Sequence, residues 1–208
     1  MSEQNFQSVV LALYYRVDDI ERRWASINER TARLAGIGAH HVVLYSSISE
    51  PGQVLVTMGI RHRSSVKAVL RSPTLFEWFD MDGVDDIPAV FAGEVLTRLD
   101  LTDSDDYRGA VIVGAISTIS DVDQLVAKVH RARDRFAGAG LRKLRMYRAF
   151  DDEQEVMTLL EFDSLPSAEQ WLDHLDADAE WMSRSRSLAH PHLFAGQLVN
   201  VTTLEAAP

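Results

Sequence analysis

Cysteine is absent from all 208 residues, which excludes disulfides, thiolate metal sites and cysteine nucleophiles together. Lysine is scarce as well, at 3 of 21 basic residues, an arginine bias that reads as genome composition and not as function. No apolar run approaches the roughly 20 residues that span a bilayer, and the polar stretch 1–8 has no signal-peptide core. The expected compartment is therefore the cytoplasm, with no membrane partner. Positive charge is short in both halves: 10 basic against 14 acidic residues in 1–104, and 11 against 17 in 105–208, for a net charge of −10. Such a chain lacks the broad basic footprint that nucleic acid requires. The local exception is Lys128 to Arg148, with eight basic residues against Asp134 alone. It reads as a solvated helix face running into an exposed strand. There is also no glycine-rich phosphate loop, no nucleophile elbow and no carboxylate pair spaced for glycosidase chemistry.

What the chain does contain is a copy of itself. At a shift of 102, Val9, Asp19, Arg33, Ala35, Gly36, Gly38, Tyr45 and Val54 meet Val111, Asp121, Arg135, Ala137, Gly138, Gly140, Tyr147 and Val156. After one inserted residue the shift becomes 103, and Ser64, Glu77, Trp78, Pro88 and Phe91-Ala92-Gly93 meet Ser167, Glu180, Trp181, Pro191 and Phe194-Ala195-Gly196. A constant shift over this length divides the chain into two domains, 1–101 and 109–208, joined by the polar linker Leu101–Arg108.

Within each copy the periodicity changes in a fixed order. Ser8–Val17 alternates, with apolar residues on both faces, as in a strand covered on both sides. Asp18-Asp19 opens a helix carrying Ile20, Trp24, Ile27, Thr31 and Leu34, and Gly36 and Gly38 close it. Two strands follow around Glu50-Pro51-Gly52, and around Asp151-Asp152-Glu153 in the second copy. A second helical segment comes next. In copy two Ser167-Ala168-Glu169-Gln170 fits a capping box, and in copy one Ser72-Pro73 interrupts the helix. A last strand, Val90–Leu99 or Leu193–Leu204, ends each copy. The order strand, helix, strand, strand, helix, strand is the ferredoxin-like βαββαβ unit. The fold class is thus α+β: tandem ferredoxin-like repeats whose bare sheet faces meet, forming an intrachain pseudo-dimeric α+β barrel. A monomer with internal pseudo-twofold symmetry suffices for this, and a homodimer through edge strands stays open.

On this topology the chain resembles the dimeric α+β barrel superfamily. The segment Val66 to Phe79, with its Ser72-Pro73 break before Phe76, Trp78 and Phe79, is similar to the second helix of antibiotic-biosynthesis-monooxygenase-like domains. Copy two departs from that motif, carrying Leu175-Asp176-Ala177 at the break. The resemblance implies cofactor-free oxidation of quinols or polycyclic aromatics, haem binding or degradation, isomerisation of small lactones, or no chemistry.

Candidate site residues are those that an aromatic ligand would use. Trp78 and Trp181 are equivalent; each is an aromatic wall for a flat ligand or, the favoured reading, an anchor of helix on sheet. Tyr14 and Arg16 lie on the face assigned to the barrel interior, where copy two has Ile116 and Thr118. A phenol and a guanidinium there would stabilise an enolate; otherwise they mark a strand end. Trp171 and His174 form a further ligand-binding candidate, though their spacing does not match the haem-degrading relatives. His190-Pro191-His192 and His40-His41 lack further ligands, so no metal is expected. Three readings follow: binding of a small hydrophobic or aromatic molecule, in one form as a cofactor-free monooxygenase; a non-catalytic binding or assembly protein with a filled barrel; and a haem-binding protein. The first calls for no cofactor.

Overall fold

The computed structural model describes residues 9–61, 69–73, 77, 88–102, 110–173 and 193–204. Among them the fold is mixed α+β, with eight strands and five helices. In order these are β1 (Val9–Arg16), α1 (Ile20–Glu29), α2 (Thr31–Gly36), β2 (Ala39–Ser47), β3 (Gln53–Ile60), β4 (Ala89–Asp100), β5 (Val111–Thr118), α3 (Val122–Arg131), α4 (Arg133–Gly138), β6 (Leu141–Ala149), β7 (Glu155–Phe162), α5 (Leu165–Asp173) and β8 (Phe194–Thr203). No helix among the described residues is long and apolar enough to cross a membrane.

Two compact units divide the chain. One contains residues 1–46, 50–94 and 199–208, the other 47–49 and 95–198, with boundaries inside β4 and β8, at the end of β2 and in the turn after it. In the first unit β3 pairs antiparallel with both β1 and β2, and β1 pairs antiparallel with β4. That gives the order β4-β1-β3-β2, the split βαβ arrangement. The second unit repeats it, with β7 between β5 and β6 and β8 beside β5. The registers match at the same shift: Tyr15 opposes Val54 and Ser117 opposes Val156.

Alternation sends Leu11, Leu13 and Tyr15 of β1 into one cluster with Ile27 of α1 and Leu34 of α2, all at most 2% exposed. In the second unit Val111, Val113, Leu144, Leu160 and Phe162 pack with Leu125, Val129 and Phe136. Both first helices start as expected: Asp19 Oδ1 accepts from the Arg22 amide at 2.9 Å, and Asp121 Oδ1 from the Gln124 amide at 2.8 Å. Each is then broken, at Arg30 and at Ala132, where one continuous helix was expected. The periodicity does not reveal the break because Ile27 and Leu34, like Val129 and Phe136, lie two turns apart and stay on one face across it.

Two further expectations change. The capping box at Ser167 is not the helix start: α5 begins at Leu165, the Ser167 amide donates to Ser164 Oγ at 3.3 Å, and the Ala168 amide donates to the Ser164 carbonyl at 3.2 Å. Ser164 therefore caps, and Pro166 sits in the first turn, where a missing amide hydrogen costs nothing. Nor is β6 an exposed strand. Arg142 is 9% and Lys143 8% exposed, and Leu141, Leu144 and Met146 are buried around them. In the first copy Val69-Leu70 is helical and Ser72 is not, its Oγ donating to the Val69 carbonyl at 2.7 Å. Most of the linker lies outside the described residues.

Gly140, after α4, has φ +77°, and its carbonyl accepts from the Asp163 amide at the end of β7 at 3.1 Å. An added Cβ would stand 2.7 Å from Ser167 Oγ, whereas at Gly138 nothing lies within 4 Å. Gly140→Ala is expected to cost more than about 1 kcal/mol, while Gly138→Ala gains about 0.4–1 kcal/mol by restricting the unfolded chain. Urea melts of the two variants check the opposite signs.

Candidate functional site

In each unit the helices pack on one sheet face, and the candidate site is built on the other. Cross-strand register defines its rows. In the first unit Tyr14 (β1) stands between Ala89 (β4) and Leu55 (β3), and Leu55 opposes Tyr45 (β2). The next row is Phe91, Ala12, Thr57 and Val43, and the third is Gly93, Val10, Gly59 and His41. This face is not solvated: Val10, Ala12, Leu55, Thr57 and Phe91 are buried, and Tyr45 is 8% exposed. Tyr14 is half-buried at one end of the lattice.

Burial, and to a lesser degree Glu50, pushes the Tyr14 phenol above its ordinary value of 10.0, against the opposing pull of Arg16. Tyr14 consequently stays protonated at neutral pH and can donate its O–H to a ligand oxyanion. Arg16 donates through Nη1 to the Pro51 carbonyl at 2.8 Å and lies 3.9 Å from Glu50, with 42% of its side chain exposed. It is thus tied to the β2–β3 turn beside Tyr14. The two catalytic candidates are neighbours in sequence and field, and Tyr45 joins them through Leu55.

The remaining candidates part company. Trp171, on α5, packs edge-on to Phe136 at 5.6 Å between ring centroids and against Phe162 at 6.0 Å, in the core between helices and sheet. Its Nε1 is buried without a hydrogen-bond partner among the described residues. Trp78, Trp181 and His174, like His190 and His192, lie outside the described residues. Among those residues no three His, Asp or Glu side chains come together as a metal site would require.

The second unit's helix-free face carries polar groups that periodicity alone does not reveal. Its rows read Ile116, Met157, Tyr147; then Gly114, Leu159, Arg145; then Ile112, Glu161, Lys143. Lys143 and Glu161 are direct cross-strand partners with Nζ 3.7 Å from Oε1, and their side chains are 10% and 11% exposed. Burial pushes the Glu161 carboxyl above the usual carboxylate range, opposed by Lys143, Arg142 and Arg145. The equivalent pair in the first unit is His41 opposite Gly59, where a Cβ would fall 2.2 Å from the His41 ring. Arg145 is held by Asp100 and donates to the Leu99 carbonyl at 3.1 Å. Tyr147 is raised by burial and lowered by Arg98 and Arg145. One signal could have exposed this cluster: the copies differ at 41/143 and 59/161, a comparison as informative as Tyr14/Ile116.

The first unit also buries Arg23, 4% exposed, whose Nε donates to the Tyr15 hydroxyl at 2.7 Å with the guanidinium 4.9 Å from the ring centroid. Its counterparts in the second unit are Leu125 and Ser117. This pair lies on the helix side of β1, away from the candidate face.

No family model matches the chain, and no curated protein does. Solved structures do. An anthrone oxidase-like protein superposes with a TM-score of 0.68 at 14% identity, over 100% of this chain and 98% of the other. A monooxygenase-like protein from Listeria innocua gives 0.54 at 13% identity, covering 95% and 98%. A heme-binding protein from Thermus thermophilus gives 0.57 at 12% identity, covering 93% and 92%. The chain therefore shares its fold with these proteins, over 93–100% of its length.

Removing one member of the buried ion pair exposes its energetics. Lys143→Met leaves Glu161 without its cation and is expected to cost about 3–5 kcal/mol, whereas Lys143→Met with Glu161→Leu is neutral or stabilising by about 1–4 kcal/mol. For Glu161 the pH sign follows from its raised value: the folded state binds the proton more tightly than the unfolded one. The stability it contributes is full below about 4.5, the unfolded reference, and is lost as pH rises through the raised value. Denaturant melts against pH, with the double variant as the reference, check both statements.

Proposed function

We propose that the chain binds a small hydrophobic, aromatic molecule and oxidises it as a cofactor-free monooxygenase of quinol- or anthrone-type substrates. The observation that carries this reading is the row Tyr14, Leu55, Tyr45 with Phe91 beside it: two phenols on a buried apolar sheet face. The likeness of fold to an anthrone oxidase-like protein supports the substrate class. We read the repeats, 1–101 and 109–208, as the halves of one α+β barrel and the chain as cytoplasmic; the registers, matched within each unit, support the duplication itself.

The chemistry follows from what such a face does to charge. A substrate with an acidic C–H beside a carbonyl gives up a proton to solvent, to be returned when water forms, and the oxygen of the resulting enolate accepts the Tyr14 O–H. Apolar surroundings strengthen that hydrogen bond. Dioxygen then takes electrons from the electron-rich carbon, one oxygen atom ending in the new carbonyl and the other in water, so the substrate is its own reductant. Arg16, held at the turn, offsets part of the Glu50 field at Tyr14 without having to touch the ligand. Trp78, Trp181 and His174 remain proposed as ligand-holding positions, whereas Trp171 is packed in the helix-side core and would hold a ligand only there.

A second reading has one observation in its favour. Val10, Ala12, Leu55, Thr57 and Phe91 are all at most 6% exposed, as in a face filled by side chains with no ligand. Oxygen consumption separates the two. With an anthrone or quinol and no added flavin, haem or metal, the protein is expected to take up oxygen, and Tyr14→Phe to lower kcat about a hundredfold with the fold intact. If a panel of such substrates gives no uptake above the uncatalysed rate, the oxygenase reading fails and the filled face stands.

A further inference from the structure

The Lys143–Glu161 pair is an expensive thing to keep. Two charges sit at about one tenth exposure, and their contact of 3.7 Å is too long for a hydrogen bond. Glu161 Oε1 is buried with no hydrogen-bond partner among the described residues. A pair of this kind does not recover its desolvation cost through geometry. The first copy shows that the sheet folds without it, since His41 and Gly59 occupy the same register there. The charges facing Glu161 are Lys143 on the opposing strand, with Arg142 and Arg145 beside it. Arg145 is already neutralised by Asp100, so Lys143 is the cation that directly answers Glu161.

We propose that the helix-free face of the second unit is a proton-accepting site for an acidic phenol or enol, with Glu161 as the base and Lys143 as the cation that holds the resulting oxyanion. The ligand's O–H bond breaks, an O–H bond forms on the Glu161 carboxylate, and no electrons change hands. The negative charge moves from Glu161 to the ligand oxygen while Lys143 remains its counter-ion, so the number of buried charges is unchanged. A carboxylate disfavoured by burial suits this step, because its proton affinity approaches that of an acidic phenol. Met157, Leu159, Ile112 and Ile116 supply the apolar surface for the ring. Tyr147 stands four residues from Lys143 on the same strand, roughly 13 Å away at strand spacing. Beside Arg98 and Arg145, it is placed to meet a second oxygen at the far end of a multi-ring ligand. This inference rests on the reading of an aromatic, oxidisable ligand and places a proton acceptor on the second unit's own face.

The probe is 4-nitrophenol, whose phenolate absorbs in the visible and whose phenol does not. Titrated into the full chain at a pH below its own pKa, the bound probe is expected to show the phenolate band. Glu161→Gln is expected to abolish that band and to weaken binding about tenfold or more, as loss of a charge-assisted contact would. Circular dichroism establishes that the variant folds. Should it not fold, the wild-type measurement decides alone: a bound probe whose ionisation matches that in solution, or no binding at all, overturns the proposal. Oxygen uptake with an anthrone keeps the two readings apart. A phenolate band without uptake leaves this site and removes the oxygenase; uptake together with a phenolate band that survives in Glu161→Gln removes this site and leaves the oxygenase.

Discussion

Val10 and Ala12 on β1 are nearly as buried as Leu11 and Leu13, although the helices of that unit pack on the side of Leu11 and Leu13 only. A strand with both faces out of water has no solvated side on which to place polar groups, so each polar side chain on it is held by a partner or by its position. Much else depends on that constraint. It makes Tyr14 and Tyr147 reluctant acids, raises the Glu161 carboxyl and gives the Lys143–Glu161 pair its cost. It also makes the helix-free faces the natural place for chemistry that water would suppress.

The strands were legible because alternation and register are short-range properties of the chain. Val9 to Val17 declares two apolar faces without any knowledge of what lies across them. The matched shift of 102 then carries the β1–β3 and β2–β3 pairings onto β5–β7 and β6–β7. Helix boundaries were less legible where two local signals compete. Ser164 and Ser167 both suit a cap, and the choice went to Ser164 because its carbonyl and hydroxyl together receive the first free amides of α5. The breaks at Arg30 and Ala132 left no mark, since a two-turn spacing preserves the buried face across them.

The candidate site was half legible. Tyr14 and Arg16 were visible as departures from the repeat, and both lie where the alternation put them. Lys143 was hidden by its company: among Arg142, Arg145 and Arg148 it looked like one more solvated charge. Only the pairing of β6 with β7 shows that it opposes Glu161, eighteen residues away, on a face without water. Composition cannot carry that information, because the same four basic residues on an edge strand would be solvated.

The two copies therefore differ in the kind of group they place in equivalent rows. The first has a phenol at Tyr14 and a histidine over a bare glycine at His41 and Gly59; the second has Ile116 and a lysine over a carboxylate. A duplicated fold needs only one of each device. Once shared core residues such as Val9 and Val111 fill the equivalent positions of both sheets, the copies are free to differ elsewhere. In a symmetric pair of identical chains every substitution appears twice, so a difference of this kind between equivalent rows is open only to a duplication carried in one chain.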